Sequence, residues 1–216
     1  MRYLRGIVTW IDSLESGGQF RKWVSILVKI FGVLVLISAT VWGITICVGA
    51  IAASEYLGTG SRTLVYIGTI LSLCINIIVG LVLAMLFWNR SNKISALGSQ
   101  THFTLLPITI ILIRLLGEFS FLSLVGTGIQ ALIASIFGFV FPNLMSILLS
   151  GLARNISFIF GVISFVSSVL AGAMVLIFTY FISEQISVFT DMATNLKKIA
   201  AALSTEETTQ DTVSDS

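Results

Sequence analysis

Polar positions in this chain come in short clusters, separated by apolar runs of about 20 residues or more that show no alternation. Ile30 to Ala53 is the first uncharged run, and Thr63 to Trp88, interrupted only by Asn76, is the second. Ile156 to Ile182 is the last. A membrane β-strand alternates apolar and polar residues over about ten positions. A transmembrane helix needs about 20 consecutive apolar residues, and lipid forces every backbone group to be satisfied internally. The pattern therefore predicts an all-α integral membrane protein, a four-span helical bundle with amphipathic helices at its N- and C-terminal ends.

The flanking segments carry a different period. Residues 1–22 place Leu4, Ile7, Val8, Ile11 and Leu14 at helical spacing, with Asp12 and Glu15 where a signal peptide would be apolar. This reads as an amphipathic helix lying on the membrane surface. Residues 23–88 form the first transmembrane hairpin, closed by a turn at Glu55 to Arg62. Residues 89–102 are a basic loop with Arg90, Lys93 and His102. Residues 183–203 repeat apolar side chains at three-four spacing, with Phe189 and Leu196 as the candidate surface for a partner or for lipid. Residues 204–216 are polar and acidic and are expected to be disordered.

The second membrane region, 103–182, allows two readings of its first half. Thr104 to Glu118 can be an interfacial helix opened by Pro107, with Phe121 to Phe141 as the third span. Alternatively Phe103 to Val125 crosses the membrane, and Ile129 to Phe141 forms a further short element, giving five spans. The second reading puts Arg114 and Glu118 near mid-membrane, where an arginine costs about 2.5–3.5 kcal/mol on insertion scales. The first reading is therefore preferred, with the two side chains at headgroup level. Gly58-Thr59-Gly60 recurs as Gly126-Thr127-Gly128, but a duplication has little further support in the residues around it. Pro142-Asn143 should break the helix, and Leu144 to Arg154 is expected to lie at the interface.

Composition agrees with this partition. The chain is 56% hydrophobic and 10% charged, and its mean hydropathy is +1.03; soluble domains carry about 25% charged residues. Basic residues gather before the first span and after the second, which by the positive-inside bias puts both termini in the cytoplasm. A multi-pass protein of the bacterial inner membrane is the expected setting. No basic stripe interleaved with aromatics suggests nucleic acid.

Candidate chemistry is sparse. One histidine, His102, supplies neither a metal set nor a nucleophile–base pair, so no enzyme activity, metal or cofactor is expected. Cys47 and Cys74 lie within apolar runs and read as small hydrophobes. Arg114, Glu118 and Asn76 are the candidate polar membrane residues, since ionisable groups in a bilayer line pathways or contact partners. Ser164, Ser168 and Gly172, four apart, form a small-residue stripe for helix packing. The expected function is a non-enzymatic accessory or oligomeric membrane component acting through helix packing. Its partners would be the lipid bilayer and a second copy or another membrane protein. The alternative is a small channel, transporter subunit or pore-forming protein that uses Arg114, Glu118 and Asn76.

Overall fold

The computed structural model describes residues 18–54, 59–97, 105–137 and 154–214. These form four helices: α1 (Gly18–Ser54), α2 (Thr59–Ser95), α3 (Leu105–Phe137) and α4 (Arg154–Ser214). Each contains a stretch long and apolar enough to cross a membrane: Gln19–Ala52, Arg62–Ser95, Leu106–Phe137 and Phe158–Leu196. Among the described residues the all-helical, four-span class is therefore the observed one, and the break near Val125 that five spans would need is absent. The chain is a multi-pass membrane protein. At 1.5 Å per residue α1 and α2 are each about 55 Å long and α4 about 90 Å, so all exceed a hydrocarbon core of about 30 Å.

Successive helices run antiparallel. In the first hairpin Ser25 lies beside Ser91, Gly32 beside Phe87, Gly43 beside Leu73, and Cys47 beside the Thr69 carbonyl. In the second, Gly117 faces Thr179, Phe121 faces Gly172, Gly128 faces Ser168 and Ser135 faces Gly161. Small residues set this close approach. A methyl group at Gly172 would stand 3.4 Å from the α3 backbone at Phe121, and one at Gly128 would stand 3.0 Å from the Ser168 side chain. Lipid supplies no hydrophobic force between helices, so contact of this kind carries the association. Helices α2 and α3 join the two hairpins through a less extensive seam. Among the described residues α1 and α4 do not pack along their lengths.

The outer faces are apolar. Phe31, Val41, Trp42 and Val48 of α1 and Leu170, Ile177 and Phe178 of α4 are all exposed, as is Met174, at 72%. Water would not tolerate so large a continuous patch, whereas lipid does. Two small cores lie inside. One joins Val28, Phe87, Ile94, Ile108 and Leu115 at the basic end, and the other joins Ile46, Val65 and Ile133 at the far end.

Three expectations are corrected. First, the basic loop does not begin at residue 89. Helix α2 continues to Ser95, because Ser91 bonds Ser25 of α1 at 2.7 Å and Ile94 is fully buried. Arg21 is buried and donates to the Leu97 carbonyl just beyond the end of α2. Second, the interfacial helix Thr104–Glu118 and the span Phe121–Phe141 are not separate elements. Nor does a span end at Val125. A single helix of 33 residues runs through both, with Pro107 in its first turn where no intrahelical donor is lost. Third, the acidic stretch expected to be disordered is helical as far as Ser214. No proline or glycine follows Gly172 in α4, and extending an existing helix adds one hydrogen bond for each residue fixed. The N-terminal amphipathic segment up to residue 17, His102 and the Pro142-Asn143 break lie outside the described residues.

Candidate functional site

The charged and polar side chains of the second hairpin meet α2 at one level of the bundle. Arg90 is near the end of α2, Arg114 and Glu118 are one turn apart on α3, and Tyr180 and Ser183 share a face of α4. Helical spacing decides which side chains can converge: residues three or four apart stand on one face.

Glu118 is the hub. Arg90 donates through Nε to Oε2 at 3.0 Å and through Nη2 to Oε1, a forked pair. The Tyr180 hydroxyl donates to the same Oε1 at 2.6 Å. One carboxylate therefore accepts three hydrogen bonds from two neighbouring helices. Both charged side chains are mostly covered, 15% exposed for Arg90 and 16% for Glu118. Charge-assisted bonds in such a place are roughly twice as strong as neutral ones, and the guanidinium fork adds direction.

Arg114 and Glu118 stand one turn apart on α3 but are not paired with each other. Arg114 instead donates from Nε to the Ser183 hydroxyl at 2.7 Å, and its guanidinium lies 5.4 Å from the centre of the Tyr180 ring. The physical reason is geometric. Arg90 approaches the carboxylate from the facing helix with two parallel donors, a better fit than a neighbour one turn away on the same helix can give. The cluster thus holds two cations and one anion.

Its depth can be read from the helices. From Glu118 to the end of α3 at Phe137 is about 29 Å of helix, close to a whole hydrocarbon core. The Lys29 ammonium, 4.9 Å from the centre of the Trp88 ring, marks the same level on α1 and α2. Glu118 therefore lies about 20 Å of helix from Leu105 and about 29 Å from Phe137, nearer the basic end of the bundle. It is enclosed by protein rather than solvated among headgroups.

Other candidate residues lie elsewhere. Asn76 is mid-way along α2 against Gly43 of α1, and its Nδ2 is buried with no hydrogen-bond partner. Ser168 and Gly172 face α3, while Ser164 is half-buried. Phe189 and Leu196 are exposed, at 68% and 66%. A second polar tie joins α2 to α3 nearer the far end. There the Gln130 amide donates to the Ser72 carbonyl at 3.0 Å, and the Ser72 hydroxyl donates to the Gln130 carbonyl oxygen. Sequence reasoning missed Arg90, Tyr180, Ser183 and Gln130 as partners. One signal was present: Gly161, Gly172 and Ser183 recur every eleven residues, which extends the small-residue face of α4 down to the arginine.

Comparison with family models, with curated proteins and with solved structures finds no match for this chain.

Proposed function

We propose that this protein is a non-enzymatic component of a membrane, built to hold a four-helix frame and to offer helix α4 to a second copy or to another membrane protein. The observation that carries the reading is the use made of the charged side chains. Arg90, Glu118, Tyr180, Arg114 and Ser183 bond to one another across three helices, while Phe189, Met192, Leu196 and Ile199 of α4 remain exposed. A carboxylate already accepting three hydrogen bonds is poorly placed to shuttle an ion or a proton. An exposed apolar stripe at three-four spacing is suited to pack against a partner helix. The basic ends of α1 and α2 favour the cytoplasmic side of a bacterial inner membrane for both termini.

The test is the mass of the purified protein in mild detergent, with the proteins that accompany it. Phe189→Asp and Leu196→Asp are expected to lower the mass or to remove an accompanying protein while leaving insertion intact. An unchanged mass and an unchanged set of companions for both variants would refute the reading. One observation favours a second reading, a small channel or transporter subunit. The buried Asn76 amide has no partner, and polar groups unpaired within a membrane often face a solute path. Ion flux in vesicles that is abolished by Asn76→Leu would support it.

A further inference from the structure

The outer face of the first hairpin carries a groove that ends at a cation. Its floor is opened by Gly32 of α1 and Ala84 of α2, and its walls are Val33, Leu36, Leu81 and Met85. Gly32 has no room for a side chain, because a methyl group there would stand 2.9 Å from Phe87. The groove is therefore a fixed consequence of how closely α1 and α2 approach. At its mouth stand Lys29 and Trp88, with the ammonium over the indole ring. The cavity is about 240 Å³ and is apolar apart from that end.

Within α1 and α2 the charges near the mouth are all basic. Neither α1 nor α2 contains an acidic residue. Arg21, Lys22, Lys29, Arg90 and Lys93 all lie at this end of the hairpin. Arg21 donates to the Leu97 carbonyl and Arg90 is held by Glu118 of α3. Lys22 and Lys93 are exposed. Lys29 stands about 35 Å of helix from Ala52, so a hydrocarbon core of about 30 Å ending near Ala52 leaves its ammonium at the headgroup layer, and an indole beside it is the side chain suited to that layer.

We propose that this groove holds one anionic phospholipid, its phosphate on Lys29 against Trp88 and an acyl chain along Gly32 and Ala84. The inference does not rest on the proposed function. Charge complementarity selects the occupant: an apolar trench capped by a cation, between two helices that hold no carboxylate among their described residues, matches a lipid with a net negative headgroup. A zwitterionic lipid fills the trench equally well and leaves its own cation beside Lys29.

The full-length protein, purified in mild detergent, is offered phosphatidylglycerol or phosphatidylcholine in equal amounts, and retained lipid is read by native mass spectrometry. Phosphatidylglycerol is expected to be retained about fivefold better, the effect of roughly one basic residue at an anionic lipid surface. Lys29→Gln is expected to remove that preference, and Lys29→Arg and Lys93→Gln to keep it. Circular dichroism checks the helix content of each variant. Should Lys29→Gln lose helix, Val33→Trp supplies the test, because it fills the trench with an apolar side chain and leaves Lys29 in place; it is expected to lower retention of both lipids. Three results would overturn the proposal. They are no preference in the native chain, an equal loss of preference in Lys29→Gln and Lys93→Gln, and displacement of the lipid by excess inorganic phosphate. The second marks diffuse surface charge and the third a free-anion site.

Discussion

Replacing the partners of Glu118 one at a time separates a buried tie from a solvated one. Glu118→Leu leaves the Arg90 guanidinium without its acid in a mostly covered site, and arginine does not shed its charge. Breaking a mostly buried pair by removing one partner costs about 3–5 kcal/mol. Arg90→Leu is expected to cost less than Glu118→Leu. The carboxylate then keeps the Tyr180 hydroxyl, and Arg114 stands one turn away on the same helix, where it can turn towards it. The double change Arg90→Leu with Glu118→Leu removes both charges and should cost less than the two single costs added together. A coupling above about 1.5 kcal/mol is expected for Arg90 with Glu118, and a smaller one for Arg114 with Glu118, which share only Tyr180 as a neighbour. The assay is reversible unfolding in mixed detergent micelles, followed by circular dichroism. Additive Arg90 and Glu118 effects, or a larger coupling for Arg114, would refute the assignment of Arg90 as the partner.

Gly128→Leu should destabilise the second hairpin by about 1–3 kcal/mol, since it forces a side chain into Ser168 and Phe165 of α4. Gly49→Ala, with nothing within 4 Å, should be neutral or stabilise by up to about 1 kcal/mol; thermal melts of the two variants check the contrast. Single cysteines at positions 93 and 210, in a chain lacking Cys47 and Cys74, should react with an impermeant thiol reagent from the same side of the membrane. A cysteine at position 63 should react from the other side.

The membrane class and the number of spans follow from run length alone, because a bilayer of fixed thickness converts length directly into topology. Helix ends were less legible. The sequence reading stopped the second span at Trp88, because Asn89 and Arg90 look like a loop. What continues the helix is a hydrogen bond from Ser91 to α1, a tertiary partner that local composition does not reveal. The same holds for Arg114 and Glu118. Their spacing showed that they share a face, but not that a third ionisable residue 28 positions earlier would arrive opposite. On a helix standing alone, burial of Glu118 carries its full penalty. Arg90 removes much of that penalty, and so α3 runs through the position unbroken.

The two hairpins are joined by a seam of a different character from their own interiors. Within each hairpin small residues bring backbones together along most of the length. Between α2 and α3 the contacts are fewer, and two polar ties stand out, Arg90 with Glu118 at the basic end and Ser72 with Gln130 towards the other. Between them Gly126 meets Val79, and Phe87 packs edge-on to Phe119 with ring centres 5.7 Å apart. Lipid pulls the hairpins apart as readily as together, so these ties should govern how firmly the seam closes. Interhelical hydrogen bonds between neutral groups in a membrane average about 0.6 kcal/mol and reach about 1.7. Gln130→Leu should therefore loosen the seam slightly and Glu118→Leu severely. Cysteines at positions 79 and 126, in a chain without its own two, report the closure directly through their rate of disulfide formation. Gln130→Leu is expected to slow that rate by no more than about tenfold, and Glu118→Leu by more than that, in keeping with about 1.4 kcal/mol per factor of ten. Equal rates in all three proteins would mean that packing at Val79 and Phe87 closes the seam unaided, and that the polar ties only set its register.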